Sequence, residues 1–139
     1  MNTLSALIDR HGVDVDDHLD REQLVPVITG LQRQGDVLVV PQSMTRSTVT
    51  ATTPVPPQGV PVVRGENGGN THLLLADGPV FCDLQTATTT DLTLATITIP
   101  EGSTGYLAHP EHAYSGIGTG TYVLRRQREQ ADELRLVAD

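Results

Sequence analysis

Residues 92–129 read LTLATITIPEGSTGYLAHPEHAYSGIGTGTYVLRRQRE, and the way their side chains alternate decides the fold. Leu92 and Leu94 alternate with Thr93 and Ala95, and Ile97 and Ile99 with Thr96 and Thr98, the period-two pattern of a half-buried strand. The apolar phase slips by one residue between Leu94 and Ile97. A slip turns the apolar set to the opposite face, so either a bulge near Ala95 and Thr96 restores it or both faces are partly covered. Pro100, Gly102 and Ser103 predict a turn, and Tyr106 to Ala108 a further extended run. Beyond Gly116, Gly118 and Gly120, Thr121 to Leu124 predicts another strand. Between them stands His109-Pro110-Glu111-His112, a histidine-bearing loop on a sheet scaffold, the kind of place where chemistry is usually mounted.

Working outward, the same logic covers most of the chain. Val37 to Val40, closed by Pro41, is a continuous apolar run suited to a buried strand. Thr48 to Thr53 is a polar strand candidate for a sheet edge. Pro54, Pro56, Pro57, Gly59 and Pro61 predict a stiff connector. Val62 and Val63, Thr71 to Ala76 and Val80 to Leu84 follow as strands, with Asp77-Gly78 as a hairpin signal. Residues 3–11 predict a short amphipathic helix with Leu4, Leu7 and Ile8 on one face and Gly12 ending it. Leu24, Val27, Ile28 and Leu31 have helical spacing, with Pro26 in the first turn. The expectation is a mainly β protein: an antiparallel β-sandwich or barrel of about seven or eight short strands. Residues 1–34 form a helical arm, and residues 35–139 the β domain with a short C-terminal tail.

Composition narrows the function classes. A chain of 139 residues suits a single domain. Its net charge of -8 argues against nucleic acid and against an anionic membrane surface as partner. Apart from histidine every basic residue is Arg, which points to a GC-rich bacterium or its virus. The opening MNTLSALIDRHG has neither a basic leader nor a long apolar run, so a soluble cytoplasmic protein is expected. Cys82 is the one cysteine, which rules out an internal disulfide. Phe81, Tyr106, Tyr114 and Tyr122 are the only aromatic residues of the Phe, Tyr and Trp kinds, so the core must rely on aliphatic side chains. Oligomerisation would bury further apolar surface.

Few residues offer chemistry. Asp14, Asp16, Asp17, Asp20 and Glu22 lack the glycine and distal Glu of a calcium loop and suit a solvated face or cap. His72, His109 and His112, with Glu111 or Glu66 as carboxylate, have the composition of a metal site open to water or substrate; the bland alternative is a core histidine and two exposed ones. His72 shares a strand face with Leu74, and His109 with Leu107. Cys82 suits a buried structural thiol. Arg126 and Arg128, on the strand face opposite Arg125, suit ion pairs with nearby acids or an anion. Residues 65–70, GENGGN, lack the Lys-Ser/Thr of a phosphate loop.

Several of these motifs together resemble a family of short bacterial proteins, also met near phage-related genes and of no known function. The matching residues are Gly35-Asp36-Val37, Gly65-Glu66 with Gly69 and His72 as GExxGxxH, His109-Pro110-Glu111-His112 as HxEH, and Arg126-Gln127-Arg128-Glu129 as RQRE. The family's usual turn carries GHxH, and here Asn70 stands where the first histidine would be. If that family binds metal, this member lacks one ligand. The chain also bears a distant cupin-like resemblance through Pro100 and Gly102 ahead of His109, although that interval is too long and Asn70-Thr71-His72 replaces HxH. Taken together, the expected function is a non-enzymatic accessory or structural module that self-associates or docks on a protein partner, with no cofactor. The alternatives are a divalent-metal-dependent, cupin-like enzyme or sensor, and a virion or conflict-system component.

Overall fold

The computed structural model describes residues 1–64, 71–85 and 92–127. Two five-stranded sheets face each other. The first runs in the order β3 (Val27–Ile28), β11 (Ala113–Ile117), β10 (Thr104–His109), β7 (His72–Asp77), β6 (Val60–Val63). The second runs β4 (Gln32–Gln34), β5 (Val37–Pro41), β12 (Gly120–Arg126), β9 (Thr93–Ile99), β8 (Phe81–Leu84). Pairing within them is antiparallel except for β3, which runs parallel to β11. Among the described residues a two-stranded ribbon, β1 (Asn2–Thr3) with β2 (Leu24–Val25), one α-helix, α1 (Leu4–His11), and a short 3-10 helix (Gln42–Met44) accompany the sheets. The protein is thus mainly β, and of the two expected architectures it takes the sandwich with open sheets.

The main core lies between the sheets. Val37, Val39, Leu74, Ile97, Ile99, Leu107, Ile117, Tyr122 and Leu124 are buried there. A second cluster covers the outer face of the first sheet, where Leu4 and Leu7 of α1 pack with Val15 and Val25 on Leu75, Tyr106, Ala108 and Tyr114. Burial on both faces explains why Gly105 to His109 is buried at every position rather than at alternate ones. The helix is well bounded: Thr3 caps its start by accepting from the Ala6 N–H, and Gly12, at φ 76°, ends it. On the outer face of the second sheet the threonines are not merely solvated. Thr98 Oγ1 lies 3.2 Å from Thr121 Oγ1 and accepts from the Ala51 N–H, while Asp83 accepts from the Thr52 and Thr53 amides.

Several expectations need correction. The apolar slip is resolved by a bulge, but at Leu94: Leu124 pairs with Ala95 and Arg125 with Thr93, so Leu94 is the extra residue. Among the described residues ten strands build the two sheets and two more form the ribbon, above the expected count, because two- and three-residue strands leave no alternation to read. Residues 24–34 are not helical. Pro26 interrupts them, and β2, β3 and β4 find partners in three different sheets. Residues 48–53 form no strand; their backbone is met instead by Asp83 and Thr98 side chains. Asp77-Gly78 turns the chain but makes no hairpin, since β7 and β8 lie in opposite sheets. The glycine-rich residues 65–70, residues 86–91 and the expected C-terminal tail from 128 fall outside the described residues.

Candidate functional site

Strand register assembles the site. In the first sheet Leu107 pairs with Leu74 and Ala108 with Leu73, so one step further along His109, the last residue of β10, meets His72, the first of β7. Their ring centroids lie 4.4 Å apart. The turn after His109 folds back, with His112 N–H donating to the His109 carbonyl and Ala113 taking a left-handed φ of 64°. This brings the His112 ring to 4.6 Å from His109 and 6.1 Å from His72. His72 and His109 are buried, whereas Glu111 and His112 are exposed.

Two residues to which the sequence assigned no role in a site hold this cluster. Gln34, buried at the end of β4, donates through Nε2 to the carbonyls of Leu107 (2.7 Å) and Ala113 (3.2 Å) and to Ser115 Oγ (3.1 Å). Carbonyls only accept, so the amide orientation is set, and Gln34 Oε1 faces His72 Nδ1 at 3.0 Å as an acceptor. His72 therefore carries its proton on Nδ1. Its other nitrogen, Nε2, lies 3.4 Å from Asp36 Oδ1. Asp36 is anchored from the end of β12, where Arg126 Nε lies 3.5 Å from Oδ2 and the Gln127 N–H donates to the Asp36 carbonyl. The only trace of these roles in the sequence is a Gln beside a Gly-Asp turn, which by itself reads as a surface loop.

Burial, and then the neighbouring His109, lower the His72 pKa to about 4, against the opposing pull of Asp36. Burial and His112 lower His109 as well. The Glu111 N–H donates to His109 Nδ1 at 3.1 Å, which occupies that nitrogen's lone pair. As they stand, no three His, Cys, Asp or Glu side chains among the described residues are arranged to hold a metal ion.

The remaining candidates separate cleanly. Arg126 is half-exposed and ion-paired with Asp36, while Arg128 and Glu66 fall outside the described residues. Cys82 is buried in the main core, and burial pushes its thiol up to about 12, with Asp83 adding to the effect. Asp14 of the acid-rich stretch receives the Val15 N–H and Arg21. An open surface depression of about 330 Å³ lies elsewhere, lined by Pro41, Gln42, Ser43, Thr119, Thr121 and Tyr122 among others. Among the described residues no helix is long and apolar enough to cross a membrane.

A second surface stands out at the open edge of the first sheet. Gly116 and Gly118 of the β11 end provide a shelf without side chains: a Cβ at Gly116 would lie 2.6 Å from the Pro26 carbonyl oxygen, and one at Gly118 2.7 Å from Thr29. The Val27 side chain lies against that shelf too, 3.1 and 3.3 Å from the same two positions, yet Val27 stays 43 % exposed, with Ile28 at 36 %, between Leu24 (59 %) and Leu31 (53 %).

No curated protein and no solved structure matches the chain. A family model described as a domain of unknown function, DUF8820, matches residues 33–127. That span holds Gln34, Asp36, His72, His109, His112 and Arg126, and leaves α1 and β1 to β3 outside. Covering more than half of the sequence, the match shows that this chain belongs to the DUF8820 family, which agrees with the uncharacterised kinship read from its motifs.

Proposed function

We propose that this chain is a non-enzymatic β module that associates with a second copy of itself through the β3 edge. The observation that carries the reading is the run of four exposed apolar side chains, Leu24, Val27, Ile28 and Leu31, beside a strand whose outer side is unpaired among the described residues. Such an edge is a template for a further strand, and proteins that do not use one usually protect it with charge. Here the opposite holds. Residues 24–32 contain no charged side chain in a chain of net charge -8, so two copies can meet there without bringing like charges together. A twofold arrangement of the two edges closes on itself and stops at a dimer. The buried, protonated state of Cys82 fits a module without nucleophilic chemistry.

Sedimentation velocity tests this directly. The unaltered chain is expected to dimerise, and the double variant Val27→Lys, Ile28→Lys to sediment as a monomer with an unchanged far-ultraviolet spectrum. A monomer up to about 100 μM, where a contact of micromolar affinity is saturated, overturns the reading. So does a dimer that survives both lysines.

A further inference from the structure

The imidazole cluster brings two acceptor atoms face to face. Because Gln34 Oε1 accepts from His72 Nδ1, a neutral His72 presents a lone pair at Nε2, and that lone pair faces the Asp36 carboxylate oxygen at 3.4 Å. A positive centre between the two acceptors would turn this repulsion into attraction. A proton would have to be shared across a distance longer than a good N–H···O bond. A metal ion fits the gap better: placed about 2.1 Å from each atom, it subtends an angle of about 108°, close to the tetrahedral value favoured by zinc and related ions. The bond from Gln34 to the far ring nitrogen is the kind of support that orients a ligating imidazole.

A third donor, His112, lies nearby, its ring centroid 6.1 Å from that of His72. A Cβ at Gly35 would lie 2.9 Å from His112 Nε2 and 3.4 Å from His72 Cε1, so the missing side chain is what lets both ring edges approach there. His112 is exposed on its turn, and this ligand set needs its side chain to rotate towards the gap, because the three side chains are not arranged around an ion as they stand. His109 behaves differently from the other two. Its Nδ1 accepts from the Glu111 N–H, so in the neutral ring Nε2 carries the proton and donates rather than ligates.

We propose that His72 Nε2, the Asp36 carboxylate and His112 bind one divalent first-row transition-metal ion, with His109 donating a hydrogen bond to a water or other oxygen ligand on that ion. Two imidazoles and one carboxylate suit zinc, iron(II), cobalt or nickel, not calcium or magnesium, and three protein ligands leave a position open. The ion enters from solvent past Asp36 and His112. Glu111 has no part in this set. The site is independent of the β3 edge, so neither proposal stands or falls with the other.

The test uses the full chain, stripped with a chelator that is then removed, and titrated with Zn²⁺ by calorimetry and with Co²⁺ by visible absorption. One ion per chain is expected, with a rise in the thermal midpoint and Co²⁺ bands of a low-coordinate site. Asp36→Asn and His112→Ala, both at accessible positions, are each expected to weaken binding by at least about tenfold while the metal-free midpoint stays in place. Glu111→Gln is expected to bind as the unaltered chain does, and His109→Gln to keep the stoichiometry but shift the Co²⁺ bands. Failure of the unaltered chain to bind either ion overturns the proposal. Full affinity in both Asp36→Asn and His112→Ala overturns it too, as does a loss in Glu111→Gln equal to that in Asp36→Asn.

Discussion

Gln34 shows how much one buried polar side chain can organise. Its amide ties together β10, β11 and the ring of His72, three pieces of chain that are distant in sequence. Leucine has nearly the same volume but satisfies none of these groups. Gln34→Leu leaves the His72 Nδ1–H and part of the carbonyl set without a partner, at a cost on the order of 1–3 kcal/mol for each unsatisfied buried group. Urea denaturation is expected to show that loss as a lower midpoint with an unchanged slope. The residue was not legible as a site from sequence, because nothing local distinguishes a Gln that ends a strand inside the protein from one on its surface. The histidines were legible as candidates by type, but their meeting depends on the register of β7 against β10.

Among the elements, α1 carries the clearest energetic burden. Leu4 and Leu7 are fully buried, yet they lie outside the main core, against Tyr106, Leu75 and Tyr114 on the outer face of the first sheet. Arg10 forms an ion pair with Asp77 at the end of β7, and His11 Nε2 lies 3.1 Å from the other Asp77 oxygen, at an angle that does not make a hydrogen bond. The exposed Arg10 pair adds little, so apolar contact holds the helix down. Leu7→Ala is expected to cost about 2–5 kcal/mol, read as a fall in the unfolding midpoint. The helix itself was readable from the spacing of Leu4, Leu7 and Ile8 and from Gly12. The short strands β2, β3 and β4 were not, because they have too few residues to establish a period and exist only where a partner strand offers hydrogen bonds. Asp77-Gly78 teaches the same lesson: a turn signal specifies the bend and leaves open which sheet receives the next strand.

At the scale of the whole molecule, the arm and the sandwich are joined at a seam that ionisation can open. Tyr114 Oη donates to the Val13 carbonyl at 2.8 Å, and the Asp16 N–H donates to the Pro110 carbonyl, so the arm grips the turn that carries His112. Burial raises the Tyr114 pKa from 10.0 to about 12. The folded state therefore holds its proton more tightly than the unfolded chain does. The corresponding stability is present in full below about pH 10 and is lost as the pH climbs from there towards 12. Unfolding midpoints are expected to fall across that window, and less steeply in Tyr114→Phe. The slope that remains belongs in part to Tyr122, whose pKa burial also raises. Equal slopes in both proteins would contradict this account of the seam.

By itself the sequence determined that this is a mainly β protein with a short helix near its start. Alternation of Ile and Thr, apolar runs closed by proline, and glycine-marked turns are local properties, and period-two burial needs no knowledge of the partner strand. Tertiary structure alone decided that the layers form an open sandwich, that β3 sits outward on a glycine shelf, and that Asp36 and Gln34 flank the imidazoles. The physical reason is that strand order, register and sheet crossing are set by which apolar faces pack together across the core, a property of the assembled layers and not of any one segment.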